Sequence, residues 1–293
     1  MSETGRTYEI QDVAALTGLT PERIRAWERR YAVIRPERQP NGYRAYTGAQ
    51  VALLRAYAKL VGRGARIGDL VERDPADVVA EANAWAPDGT PLGALMGAIE
   101  ALDRDTLESL IAQQLALRGL KRFADEIVGP LGEVIGDLWV LGRLPISAEH
   151  LASEVIVHAL KAGLRHGRSR GPLVVCAGLP GERHEWGFLC TLARVHDNGW
   201  RIQYLGPDLP LREVVGAAWQ LRPEAVALSV SDPETCAFSL DELLSFPASL
   251  PDGVTPVIGG RGIEGRAHVL TEVGFRLDFD AFGADRAAAS FAH

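Results

Sequence analysis

One histidine near the start of the C-terminal segment has neighbours that suit metal or cofactor binding. His184 closely follows the glycine-rich residues 178–181, and Glu182 precedes it by two positions. An imidazole nitrogen is a common metal ligand, and a carboxylate can hold the other ring nitrogen and fix the tautomer. A lone histidine at a helix start is more often a capping or surface residue, so this pair alone predicts little.

Residues 171–293 are expected to place His184 at the edge of a parallel β-sheet. Short apolar stretches alternate there with helical patterns, and the candidate strands are residues 173–177, 201–204, 225–229, 256–258 and, more weakly, 279–282. The alternation predicts a Rossmann-like, doubly wound α/β domain, whose ligands bind beyond the carboxyl ends of the strands. His184 comes just after the first strand and should therefore lie at that edge.

Three short motifs in this domain follow one another at defined distances. In order, with 41 and then 27 residues between them, they are Glu182-x-His184-x-x-Gly187, Ser229-Val230-Ser231 and Gly259-Gly260. Together they resemble the cobalamin-binding signature Asp-x-His-x-x-Gly, Ser-x-Leu, Gly-Gly. The resemblance implies that cobalamin binds with its benzimidazole base displaced and with His184 as the lower axial ligand of cobalt. It also implies that the nucleotide tail enters the sheet domain.

A bulky nucleotide tail needs a slot lined by small residues. Gly187, Gly259 and Gly260 offer backbone without side chains, which such a buried slot requires. Ser229 can donate a hydrogen bond to the tail. These four residues are therefore the predicted tail-binding positions.

Two positions depart from the signature. Glu182 stands where the signature has Asp, and Ser231 stands where it has Leu. The longer Glu182 side chain can still accept a hydrogen bond from His184. Ser231 is expected to make the slot more polar. Neither change removes the predicted cobalt ligand.

Residues 1–74 have the pattern of a winged-helix DNA-binding head. Two short helices are expected on either side of Gly18, and Thr20 and Pro21 suit the start of the second. Asn41-Gly42 predicts a tight hairpin, and another helix is expected over residues 47–62. The second helix and the hairpin are rich in arginine, whose planar fork of donors serves phosphates and guanine edges.

Two runs in this head resemble the MerR family. They are residues 24–31 (Ile-Arg-Ala-Trp-Glu-Arg-Arg-Tyr) and 41–46 (Asn-Gly-Tyr-Arg-Ala-Tyr). In that family the second helix enters the major groove of double-stranded DNA and the wing contacts phosphates. The resemblance therefore implies base reading or backbone contact by Arg23 and Arg25. It implies phosphate contact by the wing residues Arg38, Tyr43 and Arg44.

Residues 75–170 are predicted to form a four-helix bundle, because apolar residues recur there at spacings of three and four. In this segment Trp139 is followed, after nine residues, by Glu149 and His150. With these residues the chain resembles, over nearly its whole length, the light-sensing CarH/LitR regulators. The resemblance implies adenosylcobalamin as the cofactor, with the bundle over the upper face of the corrin. It places Trp139 over the adenosyl group, with Glu149 and His150 beside it.

The residue after Trp139 departs from the best-matching members of that family. They have a histidine there, which can cap cobalt after the adenosyl group leaves, whereas this chain has Val140. A valine side chain cannot ligate a metal. His150 is therefore our candidate for the upper ligand after photolysis.

Charge is divided unevenly along the chain. Residues 1–73 contain 13 Lys and Arg against 8 Asp and Glu, and the remainder contains 18 against 30. A head of net charge +5 thus precedes a body of net charge −12. This asymmetry suits a basic head that binds a polyanion and an acidic body that the polyanion repels. Chance surface charge is the plain alternative.

Other bulk properties narrow the class of protein. Apolar residues make up 47% of the chain and charged residues 24%, as in soluble globular proteins. We expect a cytoplasmic protein without a membrane partner, because no apolar run is long enough to span a bilayer and three dispersed cysteines suit a reducing compartment. Ser-His-Asp, HExxH and GxxxxGK[ST] patterns are missing from the sequence, so we do not expect an enzyme.

The leading hypothesis is a light-responsive transcriptional regulator in which loss of the adenosyl group changes oligomer state and DNA binding. Its expected partners are a DNA operator, further copies of itself as a dimer or tetramer, and RNA polymerase. Three alternatives stay open. They are a regulator that senses cobalamin level or redox state without light, a corrinoid methyl-transfer protein, and a cofactor-free regulator that keeps the fold.

Overall fold

The structure is a computed structural model that describes residues 7–38, 44–62, 64–83, 90–140, 143–166 and 171–277. The chain divides into two compact units, Met1–Leu110 with Pro130–Ala152, and Ile111–Gly129 with Ser153–His293. Two features expected from sequence lie outside the described residues: the tight turn at Asn41-Gly42 and the weak strand at 279–282.

The first unit begins with a winged helix-turn-helix. Its elements are β1 (Thr7–Tyr8), α1 (Ile10–Thr17), α2 (Pro21–Tyr31), β2 (Glu37–Arg38), β3 (Arg44–Thr47) and α3 (Gly48–Gly62). Strand β3 is central in a small antiparallel sheet of order β1-β3-β2. The order of two helices, a basic hairpin and a third helix confirms the winged-helix prediction.

The turn between α1 and α2 forms for the local reasons that the sequence indicates. Gly18 ends α1 in the left-handed region at φ 68°, and its N–H donates to the carbonyl of Ala14. The hydroxyl of Thr20 accepts from the N–H of Arg23 and caps α2, and Pro21 occupies the first turn, where its missing N–H costs nothing. Caps and turn together fix where α2 begins.

The remaining helices of the first unit follow the head in the sequence. They are α4 (Ile67–Leu70), α5 (Pro75–Asn83), α6 (Pro91–Glu100), the first half of α7 (Arg104–Arg118), α9 (Gly129–Val140) and the first turns of α10 (Ile146–His166). One apolar core joins the head to α5, and it contains Ile24 and Trp27 of α2, Leu54 of α3 and Val78 of α5. Burial of Ile24 and Trp27 leaves the arginines of α2 on its outer face.

The second unit contains the rest of α7, the short helix α8 (Leu120–Phe123), a π-helical segment (Ala124–Val128), the end of α10 and a parallel α/β domain. The strands are β4 (Leu173–Gly178), β5 (Arg201–Gly206), β6 (Ala225–Ser229) and β7 (Thr255–Gly259). The helices are α11 (Trp186–Asp197), α12 (Leu211–Leu221), α13 (Pro233–Phe238), α14 (Leu240–Ser249) and α15 (Ala267–Glu272). The strand order β5-β4-β6-β7, with every pair parallel, confirms the doubly wound prediction.

The register of this sheet aligns the ends of three strands. Gly178 at the end of β4 pairs with Ser229 at the end of β6, and Ser229 pairs with Gly259 at the end of β7. Residues far apart in sequence therefore share one edge of the sheet. Open α/β sheets bind their ligands at this carboxyl edge. Among the described residues, no helix is both long and apolar enough to cross a lipid bilayer.

Candidate cofactor site and DNA-binding surface

His184 lies in the loop between β4 and α11, at the carboxyl edge of the sheet. Its side chain is 77% exposed, whereas that of Glu182 is only 1% exposed. The Nδ1 atom of His184 bonds to Oε1 of Glu182 at 2.9 Å, and the same oxygen accepts the backbone N–H of His184 at 2.7 Å. Because a carboxylate can only accept, Nδ1 carries the proton and Nε2 carries the lone pair suited to a metal.

Ser231 completes a closed group with these two residues. The second carboxylate oxygen of Glu182, Oε2, accepts the backbone N–H of Ser231 and also its hydroxyl, the latter at 2.7 Å. The hydroxyl oxygen of Ser231 also lies 3.0 Å from Nδ1 of His184. Sequence reasoning treated Ser231 as a lining residue and missed this role. The available indication was its place two residues after Ser229, which ends β6, the strand beside β4.

The hydrogen bonds around Glu182 keep it ionised. Burial by itself would raise the pKa of this carboxyl group, but the bonds from His184 and Ser231 outweigh it and lower the pKa to about 2. An ionised carboxylate stabilises the proton on Nδ1 of His184. The loop that carries the pair is held as well, since the N–H of Gly181 donates to the Asp208 carboxylate at 2.7 Å and the N–H of Asp208 donates to the Glu182 carbonyl at 2.9 Å.

The predicted tail-binding glycines differ in what surrounds them. A side chain added at Gly187 would meet no atom within 4 Å, and one at Gly259 would meet only the Leu277 carbonyl, at 4.0 Å. Gly260 has φ 104°, and a Cβ there would overlap the carbonyl of Val230. The structure thus gives Gly260 a packing reason of its own, whereas Gly187 and Gly259 border open space. Ser229, the fourth predicted position, is buried at the end of β6.

A second polar cluster lies next to His184, and sequence reasoning did not find it. The Glu185 carboxylate accepts from the Tyr204 hydroxyl at 2.7 Å and pairs with the Lys161 ammonium group at 2.6 Å. The ammonium group also lies 5.4 Å from the centre of the Tyr204 ring. Burial, with the bond to Glu185, raises the pKa of Tyr204, so its hydroxyl stays a donor. The cluster fastens the end of α10 to the loop that carries His184.

Trp139, Glu149 and His150 lie around one connection between helices of the first unit. Trp139 is half-buried near the end of α9, Glu149 lies in the first turn of α10, and His150 follows directly after it. The N–H groups of Arg143 and Leu144 both donate to the carbonyl of Leu138, which holds the residues before α10 against the end of α9. His150 is 76% exposed, and its Nε2 is 3.9 Å from Oε2 of Glu149.

The structure therefore arranges the predicted cofactor residues as two groups. Glu182, His184 and Ser231 are in contact within the second unit, whereas Trp139, Glu149 and His150 belong to the first. Of Val140, the residue that departs from the family pattern, only the backbone is described. Across the described residues, no cluster of three or more His, Cys, Asp or Glu side chains could hold a metal ion by itself.

The arginines of α2 lie on the exposed face of the head. Arg23 and Arg25 are exposed on α2, and the guanidinium group of Arg23 lies 5.4 Å from the centre of the Trp27 ring. Of the predicted wing contacts, Tyr43 lies outside the described residues and the side chain of Arg38 is likewise not described. Among these three predicted contacts, Arg44 has a described side chain.

Arg44 is also part of the contact between wing and helix. Its Nε atom donates to one oxygen of the Glu28 carboxylate at 3.0 Å, and the hydroxyl of the fully buried Tyr46 donates to the other at 2.5 Å. Burial, followed by the bond to Glu28, raises the pKa of Tyr46. One carboxylate on α2 therefore holds strand β3 in place. Sequence reasoning did not identify Glu28, although it lies within the arginine-rich run of α2.

Comparison with known proteins assigns the head and the helical segment that follows it. The family described as MerR HTH family regulatory protein matches residues 8–73, and the family described as B12 binding domain matches residues 93–162. The HTH-type transcriptional repressor CarH of Myxococcus xanthus is 35% identical over 270 residues, which cover 87% of this chain and 89% of that protein. The repressor CarA of the same organism is 29% identical, over 92% of this chain and 91% of its own.

A solved structure shows the same fold. The monomethylamine corrinoid protein of Methanosarcina barkeri aligns with a TM-score of 0.51 at 17% identity, over 66% of this chain and 94% of that one. A MerR-type DNA-binding head combined with a B12-binding region defines a class, the cobalamin-binding transcriptional regulators, which are not enzymes. Within that class, the chain belongs to the CarH-type, MerR-family B12-binding regulators.

Proposed function

We propose that this regulator binds adenosylcobalamin in the base-off, His-on form and responds to light. The observation that carries the proposal is the contact of His184 with Glu182 and Ser231 at the carboxyl edge of the sheet. The residues fit such a group, because the exposed imidazole of His184 is held at Nδ1, and Gly187, three residues later, borders open space. When bound, the cofactor supplies the photochemistry, since visible light breaks its cobalt–carbon bond.

In this proposal Nε2 of His184 would bind the cobalt. The ionised Glu182 keeps the proton on Nδ1, and Ser231 keeps the Glu182 carboxylate in position. Hydrogen-bonded partners of this kind orient a metal-binding imidazole and raise its basicity. Ser229, Gly187 and Gly259 would border the nucleotide tail, and Gly260 would keep the turn after β7 in its shape.

The residues for the upper side of the cofactor are proposed from the resemblance to the light-sensing regulators. Trp139 would cover the adenosyl group, with Glu149 and His150 beside it. After photolysis, His150 is the candidate that could approach the metal from above, because Val140 has no ligating atom. Departure of the adenosyl group would leave Trp139 without its packing partner and so favour another arrangement of α9 and α10.

DNA binding would then follow the oligomer state. We expect the head to contact a duplex operator with Arg23, Arg25, Arg38, Tyr43 and Arg44, and the chain to act as a dimer or tetramer. By analogy with the relatives named above, we expect repression, with RNA polymerase as the competing or contacting partner. A larger oligomer brings more heads to one DNA and therefore binds it more tightly.

The test compares the purified protein, loaded with adenosylcobalamin, in darkness and after green light. We expect a base-off absorption spectrum, a spectral change on illumination, and a tetramer in the dark that becomes smaller species by light scattering. His184→Ala should bind cobalamin more weakly or leave the benzimidazole base on cobalt. His268→Ala, at an exposed histidine of the same unit, is the matched control.

A second variant separates light sensing from cofactor binding. Trp139→Ala should abolish the light-dependent change in mass while leaving the His-on spectrum intact, and Trp219→Ala provides a control for loss of an indole. Identical masses in darkness and light, with photolysis confirmed by the spectrum, would contradict photosensing. Since Val140 lacks a ligating atom, that result would favour a regulator that senses cobalamin level instead.

A further inference from the structure

Asp137, two residues before Trp139 on α9, forms a buried ion pair with the DNA-binding head. Its side chain is 5% exposed, and Oδ1 lies 2.6 Å from Nη1 of Arg55 on α3. Both residues belong to the first unit. Arg55 is itself only 22% exposed. Breaking an ion pair so shielded from water is costly, because a buried charge that loses its ion-pair partner is strongly disfavoured.

Arg55 makes a second contact, with the helix-turn-helix motif. Its Nε atom donates to the carbonyl of Leu16 at 3.1 Å, near the end of α1. The next residue, Thr17, holds the turn before α2, since its hydroxyl donates to the Val13 carbonyl at 2.7 Å and accepts from the N–H of Leu19 at 3.3 Å. One guanidinium group thus joins α9 to the turn that positions the DNA-contacting helix α2.

A neighbouring pair shows that α9 lies along α3. Glu133, one turn before Asp137, pairs with Lys59, one turn after Arg55, at 3.2 Å. Residues two apart on a helix point about 200° from each other. Trp139 therefore projects from the side of α9 opposite the side that faces the head. A rigid helix that shifts when its Trp139 side repacks must also shift Asp137.

We propose that the Arg55–Asp137 pair carries the state of the Trp139 site to the DNA-binding head. This coupling rests on the proposed function, because it assumes that the cofactor changes the packing of Trp139. With the pair formed, Arg55 holds the carbonyl of Leu16 and keeps the turn before α2 in one arrangement. When α9 moves and the pair opens, that restraint on α2 is released. Switches built from packed helices have such discrete arrangements.

The test measures DNA affinity in the two cofactor states. The probe is a duplex selected in vitro on the adenosylcobalamin-loaded parent protein in darkness. The coupling is the ratio of its dissociation constants after and before green light. Asp137→Asn keeps the shape of the side chain but removes its charge, and we expect it to lower this ratio about tenfold, within the usual range of such couplings. The absorption spectra before and after light should match those of the parent.

Glu133→Gln is the matched control, because it removes the same charge from the same helix. Its carboxylate is 60% exposed, and exposed pairs contribute little, so the ratio should stay within about twofold of the parent. The rate of backbone hydrogen exchange in residues 16–24 gives a second readout. This rate should change with light in the parent and in Glu133→Gln but not in Asp137→Asn. Arg55→Lys serves if Asp137→Asn fails to fold, since an ammonium group cannot reproduce the two-sided contact of the guanidinium fork.

Three outcomes would overturn the coupling. The first is a folded Asp137→Asn protein with the same ratio of dissociation constants as the parent. The second is an Asp137→Asn protein that binds DNA more weakly by the same factor in darkness and after light. If Asp137→Asn does not fold, an unchanged ratio in Arg55→Lys would do the same. A parent protein with a ratio of one would instead overturn the proposed light response, and the coupling with it.

Discussion

Ser231 bonds twice to one oxygen of Glu182, through its backbone N–H and its hydroxyl, although 49 positions separate the two residues. The contact ties the residues after β6 to the loop after β4. Both of these residues depart from the cobalamin-binding signature, which has Asp and Leu in their places. The longer glutamate reaches a hydroxyl that a leucine could not provide, so the two departures are complementary in this fold.

Loss of the Ser231 hydroxyl should weaken cobalamin binding. In Ser231→Ala the Glu182 carboxylate loses one donor, and we expect the affinity for cobalamin to fall about 10- to 100-fold, as is common for partners of metal ligands. Titration followed by the absorption spectrum measures it. Ser245→Ala, on an exposed stretch of α14, should bind as the parent does. Parent-like affinity in Ser231→Ala would remove this residue from the site.

Acid should destabilise the cofactor-free protein partly through Glu182. The pKa of this carboxyl group lies at about 2 in the folded chain, below its ordinary value of 4.5. The ionised group therefore contributes stability above about pH 4.5 that is lost as the pH falls towards 2. The urea midpoint should fall less steeply between about pH 5 and pH 3 in Glu182→Gln than in the parent. Glu264→Gln, at an exposed site, should follow the parent; equal slopes for all three proteins would refute the prediction.

DNA binding should depend strongly on salt. If a dimer neutralises about six phosphates, the logarithm of affinity should fall with the logarithm of salt concentration at a slope of about −5. Arg44→Ala should weaken binding to all sequences and make the slope shallower by about one unit per head. Arg212→Ala removes an exposed arginine from the α/β domain and should leave the slope unchanged. A salt-independent affinity in the parent would be incompatible with this account.

Two glycines of the signature should respond differently to alanine. Gly260→Ala forces a side chain into a left-handed backbone and against the Val230 carbonyl, and should destabilise the cofactor-free protein by about 1–3 kcal/mol. Gly187→Ala, in open space at the start of α11, should leave that stability unchanged or slightly higher and lower only cobalamin affinity. Chemical denaturation and cobalamin titration of both variants separate the roles. A Gly187→Ala protein that is destabilised, or a Gly260→Ala protein with unchanged stability, would contradict these assignments.

Much of the fold follows from the sequence because neighbouring residues decide it. Thr20 and Pro21 predict the start of α2, and Gly18 predicts the turn before it, since caps and left-handed turns depend on a few adjacent atoms. The four strands of the parallel sheet follow from short apolar stretches that alternate with helical patterns. The spacing of His184, Ser229 and Gly259 predicts one ligand edge, because the carboxyl ends of parallel strands meet there.

Tertiary structure alone decided which side chains act together. The Ser231 hydroxyl could have lined a slot, but the register of β4 and β6 places it on Glu182. Arg55 and Asp137 are 82 positions apart, and neither has a local pattern that predicts the other. Such pairs depend on how helices and strands pack, and a one-turn shift of either helix would part the two charges. The sequence thus determined the elements and predicted the cofactor, whereas packing determined which residues contact His184 and which pair joins α9 to the head.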